Sequence, residues 1–273
     1  KTMSSLEQLI IEQQSLLRMV IFITLLMLFL SLERYWPRRK VAAGSDKKRR
    51  LYNLGLLTIN IIAVRILIPL ALFQAAMFAS SENIGLFNLL GLPLWINLVL
   101  SILLFDLLIY LQHVAFHKFA ILWRIHRIHH TDLQFDVTTG VRFHPFEILL
   151  SMLYKLLAVV LFGPVAIAII LYEVLLNAFA LFTHSNLGLP ARLEVLIRRI
   201  VVTPDMHRVH HSVIKVETDS NYGNIFSFWD KLFRTYRAQP EQGHENMQIG
   251  LLEYRLPEQL KIAGLLVLPF KKE

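Results

Sequence analysis

A series of apolar runs constrains this chain most, because each is close to the length a helix needs to cross a bilayer. Such a helix takes about 20 mostly apolar residues. Leu16 to Leu32 is a short first candidate, with Arg18 near one end, where a long side chain can snorkel. About Asn53 to Ala79 forms a longer second run containing Arg65, and about Leu92 to Gln112 a third. Phe146 to Thr183 is too long for one helix and is broken near its middle by Gly163-Pro164. It reads as two somewhat short spans joined by a tight turn. Four to five spans are expected. The chain is 55% hydrophobic and only 18% charged, against about 25% charged in an ordinary soluble domain. Disordered and ordinary soluble classes are excluded.

Loop charge gives an expected orientation. The segment from Arg34 to Arg50 holds eight Lys/Arg, whereas the loop Ser80 to Pro93 holds none. The positive-inside rule places the basic segment in the cytoplasm, so most of the formal net charge of +8 reads as a topology signal. No nucleic-acid partner is expected, because these charges lie between two spans. The first apolar run is not a signal peptide, since its strong charges follow the run instead of preceding it. The chain opens on Lys1, so a native start is expected upstream. With this orientation residues 111–147, His184 and everything from Ser185 onward share the cytoplasmic face.

The chain has no cysteine, which removes disulfides, thiolate metal sites and cysteine nucleophiles. It has 11 histidines, all but His244 between His113 and His211. His113 and His117 are spaced i, i+4. His126, His129 and His130, and again His207, His210 and His211, are spaced i, i+3, i+4. On a helix these offsets share one face. Thr203-Pro204-Asp205 supplies a helix start for the last motif, with an N-cap, a first-turn proline and an acid. Eight imidazoles exceed the four ligands of a tetrahedral zinc site and suit two metals with open positions. The residues inside the first motif are Val114, Ala115 and Phe116, so the glutamate of a zinc-protease HExxH is missing. The glutamate-rich ligand set of soluble di-iron bundles is missing as well.

HVAFH, HRIHH and HRVHH, in this order, resemble the three histidine boxes of the integral-membrane fatty acid hydroxylase/sterol desaturase superfamily. Arg142-Phe-His144-Pro-Phe-Glu147, Thr183-His184-Ser-Asn186, Thr203-Pro204-Asp205-Met206, Asn221-Tyr222-Gly223 and the stretch Trp229 to Tyr236 agree with it, so the resemblance covers roughly residues 95 to 240. It implies a di-iron site beneath a cytoplasmic cap, using O2 and external electrons to oxidise lipid C–H bonds. Carried over by position, His113, His117, His126, His129, His130, His207, His210 and His211 become metal ligands. His184 becomes a ninth, standing alone where relatives place a paired motif, and His144 is either a tenth or a cap residue. Hydroxylation of a fatty acyl, sterol or ether lipid is the leading expectation, with desaturation of the same class as the alternative. A bacterial inner membrane is favoured over the endoplasmic reticulum.

The expected fold is an all-α polytopic membrane protein whose cytoplasmic helical cap holds a histidine-rich dimetal site. Residues 1–112 would be N-terminal spans with the basic loop 34–50, and 113–147 a first cap segment with two boxes. Residues 148–184 would be a membrane hairpin, and 185–273 the cap with the third box and a tail. Helical offsets add two stripes: Asp106, Tyr110, His113 and His117 on the third span, and Glu173, Asn177, Ala180 and His184 on the last. Ionisable groups at membrane depth are costly and face protein or a wet cavity. The stripes are expected to face each other, with Asp106, Glu173 and Asn177 orienting imidazoles from behind or forming a proton route, the alternative being that each acid merely hydrogen-bonds a neighbouring helix. Arg65 is read as meeting an acid or a lipid phosphate, or equally as snorkelling or packing against a helix. Trp229, Leu232 and Phe233 are expected in the cap core, Asn221-Tyr222-Gly223 as a turn and His244 at the surface. Arg192 to Arg199 and Ala263 to Phe270 would lie on the headgroups. No dinucleotide fingerprint or electron-transfer domain is evident, so a separate protein is expected to supply electrons. Two rivals remain, a metal transporter and a bis-histidine haem carrier. The histidines cluster at span ends rather than near the midplane, which disfavours the transporter. Nothing in the sequence indicates an oligomeric state.

Overall fold

The computed structural model describes residues 5–40, 46–68 and 70–271. Residues 1–4, with the expectation about the chain's start, and residues 41–45 of the basic loop lie outside the described residues. No strand occurs among the described residues, and the chain is helical. Five segments are long and apolar enough to cross a membrane: Gln13–Tyr35, Lys47–Leu89, Leu94–Lys118, Pro145–Phe162 and Ala166–His184. The protein is an integral membrane protein. Its spans are built from α1 (Ser5–Tyr35), α2 (Asp46–Leu67), α3 (Leu72–Ser81), the single turn α4 (Leu86–Leu89), α5 (Leu94–Lys118), α7 (Pro145–Phe162) and α8 (Ala166–His184), with α6 (Ala120–His130) following α5.

The break expected at Gly163-Pro164 separates α7 from α8. Gly163 caps α7 in the left-handed region, at φ 62°. A Cβ there would come within 2.5 Å of the Ile84 carbonyl and the Asn88 side chain. Glycine is required both for the backbone conformation and for the close approach of the opposite loop. Leu72, Ala76, Phe105, Val159, Ile169 and Tyr172 form the largest core cluster, which ties α3, α5, α7 and α8 together. The Tyr172 hydroxyl donates to the Phe105 carbonyl at 3.0 Å, pinning α8 to α5.

Above the spans, α6, α9 (Ala191–Ile197), α10 (Pro204–His210) and the loops after α10 make the cap. Phe119 is extended (φ −99°, ψ 119°) between α5 and α6 and redirects the chain. The start expected for α10 is present: the Thr203 hydroxyl accepts from Met206 N at 3.2 Å, with Pro204 in the first turn. Leu193, Val195 and Leu196 of α9 are exposed, while Glu194 turns inward to Arg198 and Thr203. The stretch from Ile262 to Phe270 packs Leu265 and Leu268 against Leu56 and Ile128 and leaves Val267 and Phe270 exposed, while Leu232 and Phe233, expected in the cap core, are exposed instead.

The basic loop also makes tertiary contacts. Arg38 pairs with Asp205 at 3.1 Å, and Arg39 donates to the Met247 carbonyl at 2.9 Å. Arg49 meets Asp132 at 2.8 Å and also grips Asp136, which Arg50 approaches at 2.8 Å. Arg142 is fully buried and donates to Asn53 Oδ1 (2.7 Å), the Ile128 carbonyl (3.0 Å) and Thr131 Oγ1 (2.9 Å). This network locks the end of α6 to α2. His244, expected at the surface, is buried with Nε2 3.5 Å from Asp205 Oδ2. Its short helix folds back on α10, which the local polar sequence did not reveal.

Arg142→Met strands the buried Asn53 Oδ1, which has no other donor among the described residues, at about 1–3 kcal/mol, and removes further bonds to the Ile128 carbonyl and Thr131 Oγ1. A drop of several degrees or more in the thermal unfolding midpoint of detergent-solubilised protein is expected. Asp136 titrates in a defined direction: burial raises its pKa, but the Arg49 and Arg50 guanidiniums outweigh burial and hold it below the ordinary carboxylate value. Its stabilising contribution is therefore present above about pH 4 and is lost as pH falls further. Unfolding midpoints of Asp136→Asn and wild type are expected to differ at neutral pH and to converge in acid.

Candidate metal centre

Nine buried or half-buried imidazoles gather into two adjoining groups: His113, His117, His126, His130 and His210 in one, and His129, His184, His207 and His211 in the other. Within each group the potential ligand atoms all lie within 4.8 Å of one another. His129 and His130 rings stand 5.4 Å apart across the two groups, and His130 stacks on His211 at 4.6 Å. The partition explains the HxxHH spacing. On α6 the i, i+4 pair His126 and His130 serves one group, while His129 reaches the other. Around α10 the i, i+4 pair His207 and His211 serves the second group, and His210 reaches back to the first.

Hydrogen bonds decide which nitrogen faces inward. His113 Nδ1 donates to the Tyr222 carbonyl at 2.8 Å, His210 Nδ1 to Ser220 O at 2.7 Å, and His184 Nδ1 to Ala180 O at 2.7 Å. His129 Nδ1 faces the Arg142 carbonyl at 3.3 Å, and His126 Nδ1 faces Glu147 Oε1 at 2.7 Å. A carbonyl only accepts, so these Nδ1 atoms carry the protons and Nε2 presents its lone pair. His184 Nε2 then lies 3.0 Å from both His129 Nε2 and His207 Nε2. Lone pairs so close repel unless a cation lies between them. Nitrogens about 2.0–2.1 Å from one ion, at angles of 90–109°, stand about 2.8–3.4 Å apart, matching this spacing.

Further support comes from orphaned atoms: Nε2 of His113, His126 and His210, and both ring nitrogens of His117, His130 and His211, are buried without hydrogen-bond partners. Burial pushes His129, His130, His207 and His211 well below the ordinary histidine pKa, and His210 down to about 3, with neighbouring imidazoles acting in the same direction. These rings are neutral, which is the ligating form. The residues fit two transition-metal ions.

His144 stands outside both groups. It caps α7, its Nδ1 accepting from Phe146 N at 3.1 Å. Asp106 also lies away from the imidazoles: its carboxylate accepts from Ile225 N (3.3 Å), Phe226 N (3.1 Å) and Trp229 Nε1 (2.9 Å). The α5 stripe is thus a docking face for residues 219–236, with Tyr110 on Thr235 at 2.8 Å and His117 Nδ1 3.4 Å from Asp219. The α8 stripe behaves differently. Glu173, Asn177, Ala180 and His184 line one cavity. Glu173 pairs with Arg18, and Asn177 Nδ2 donates to the Glu173 carbonyl at 2.7 Å.

That cavity, of about 450 Å³, runs from His113, His126, His129, His184 and His207 into the apolar layer. Phe22, Leu57, Ile109, Phe116, Met152 and Leu176 supply much of its wall. Gly140 keeps the metal end compact, since a Cβ there would meet Ala180 O at 2.5 Å and His184 Nδ1 at 3.3 Å. Two contributors escaped sequence reasoning. Glu147 was visible only as part of a phrase, and Tyr222 contributes a backbone carbonyl that no side-chain pattern encodes.

His130→Ala is expected to cut bound metal by about half, leaving the His129 group loaded, as measured by elemental analysis per chain. Glu147→Gln keeps the shape of the His126 partner but weakens its acceptor. Metal affinity should fall by roughly 10- to 100-fold in chelator competition.

The profile of the fatty acid hydroxylase family matches residues 98–235, which hold all nine histidines of the two groups. The chain is 26% identical over 219 residues to an ornithine lipid hydroxylase of Rhizobium tropici, covering 80% of this chain and 64% of that protein. It is 31% identical over 165 residues to alkylglycerol monooxygenase of Homo sapiens, covering 59% and 35%. Lathosterol oxidase of Mus musculus is 28% identical over 148 residues, 52% of this chain and 47% of the mouse protein. The chain therefore spans less than two thirds of each of these relatives. No solved structure matches it. The nine-histidine centre and the family match across it agree: this chain belongs to the fatty acid hydroxylase family.

Proposed function

We propose that the protein hydroxylates an unactivated C–H bond of a membrane lipid, using O2 at a di-iron centre on the cytoplasmic face, with electrons delivered by a separate protein. The observation that carries this reading is an apolar cavity ending on two groups of neutral imidazoles. His113, His117, His126, His130 and His210 would hold one iron, and His129, His184, His207 and His211 the other. Iron so held supplies the reduction of O2 and the oxidation of the C–H bond. In the overall balance one oxygen atom enters the substrate as an alcohol and the other leaves as water. The donor protein provides two electrons, and two protons are consumed.

The chain's own residues perform the remaining tasks. Glu147 and the Tyr222, Ser220, Ala180 and Arg142 carbonyls hold the imidazoles in the tautomer that ligates. Phe116, Met152 and Leu176 exclude water from the approach and align a hydrocarbon chain against the histidines. Hydroxylation is favoured over desaturation because two relatives are a hydroxylase and a monooxygenase by name. Anaerobically purified protein is expected to contain about two irons per chain by Mössbauer and elemental analysis, in line with a two-metal site. With a reductant and 18O2, lipid extract should gain one labelled oxygen per product. Active protein without iron, or label absent from the lipid, would sink this reading.

A further inference from the structure

The cavity's far end carries charge that the histidine centre does not use. Arg65, Lys155 and Glu173 line it, and Glu173 pairs with Arg18 from α1. Glu173 lies three turns from His184 on α8, about 16 Å along the axis at 1.5 Å per residue. Lys155 sits near the middle of α7, and Arg65 in the last turn of α2, the end remote from the cap. Arg18 pairs with Glu173 and Lys155 lies in the field of the same carboxylate, while Arg65, exposed on α2, lines the cavity they share. Among the described residues Glu173 is the only acid lining that end of the cavity, since Glu147, the other acid lining it, faces His126. Lys155 and Arg65 have no hydrogen bond or ion pair among the described residues. Cations at such depth are costly and persist where they face a polar occupant.

Resting on the oxygenation reading above, we infer that this cluster is the head-group site for the lipid substrate. It receives an anionic oxygen group, a carboxylate or phosphate ester, at the end of an alkyl chain that runs towards the histidines. Arg18 is held by Glu173, so Lys155 and Arg65 remain to pair with the anion. A charged oxygen group meeting an ammonium or guanidinium makes charge-assisted hydrogen bonds, which strengthen where water is excluded. The separation of the two ends has a chemical consequence. With the head on Lys155 and the chain extended along the cavity, the carbon beside the imidazoles is many bonds from the head. Oxidation then falls within the chain rather than next to the polar group. Lys155 acts as a positioning residue: it does not touch the reacting carbon but sets which carbon arrives there.

The test uses the full-length chain, metal-loaded, in phosphatidylcholine nanodiscs, with palmitate, hexadecyl phosphate and methyl palmitate as probes. Wild type is expected to bind at least one of the two anions about tenfold or more tighter than the ester, a difference typical of one charge-assisted bond. Whichever anion binds more tightly identifies the head group. Lys155→Met should bring the preference below about threefold, and Lys155→Arg should restore it. Unchanged metal content and unfolding midpoint would show that both variants fold. In wild type the alcohol should lie within the chain by mass spectrometry, and Lys155→Met should scatter its position. Equal binding of anions and ester, a preference untouched by Lys155→Met, or oxidation beside the head group would overturn the inference. Anion-selective binding without any lipid oxidation would defeat the oxygenation reading and leave the head-group site standing. Oxidation without anion preference would defeat the head-group site alone.

Discussion

The direction of each imidazole lone pair governs the rest of this structure. Backbone carbonyls of Tyr222, Ser220, Ala180 and Arg142 each face an Nδ1, and Glu147 does the same for His126. The Nε2 atoms so released converge in two buried groups, where no protein donor satisfies most of them. Burying polar atoms without partners costs about 1–3 kcal/mol each. Protonating the rings is no remedy, since neighbouring cations would repel in a dry site. Two bound cations would satisfy the whole set. With metal bound, loading and packing of the cap would be one equilibrium, as in other sites whose ligands come from distant segments.

The crossed partition of the HxxHH motifs strengthens that coupling. Each motif places two ligands in one group and a third in the other, so α6 and the α10 segment each belong to both groups. A shift of either helix disturbs both sites together. Polar contacts outside the centre oppose such shifts. Asp205, in the first turn of α10, is engaged by Arg38 and Arg208, while Arg142 holds α6 to α2. The basic segment that signals topology thereby also clamps the metal cap onto the spans, through the same guanidiniums.

Much of this was legible in the residues. Apolar runs marked the five spans, Gly163-Pro164 marked the turn between α7 and α8, and Thr203-Pro204 marked the start of α10. Helical offsets grouped the histidines. Their division into two groups was not legible, because it depends on how α5, α6, α8 and α10 cross in space. Asp106 shows the same limit. Its period-four relation to His113 and His117 identifies a shared face, but periodicity does not name what covers that face. Residues 219–236 cover it, and Asp106 accepts their N–H groups. His144 was left ambiguous, and His244 was wrongly expected at the surface, for a related reason. A histidine's role follows from its tertiary neighbours, and local sequence reports only the Pro145 that makes His144 a helix cap.

The α8 stripe unites the two halves of the molecule. Glu173, Asn177, Ala180 and His184 share one face, and that face is the cavity wall. One helix therefore carries a metal-group imidazole at its cap end and a carboxylate three turns away in the apolar layer. A straight helix is a rigid spacer over this distance, so the separation between the two ends of the cavity is set by backbone geometry rather than by side-chain flexibility. Ala180 serves both ends of the argument: its carbonyl fixes the His184 tautomer, and its backbone approaches Gly140, which closes the cap over the same point. A bulkier residue at position 140 would push the cap and α8 apart where the ligand geometry is set. The compactness of that single contact links the register of the cavity to the assembly of the metal groups.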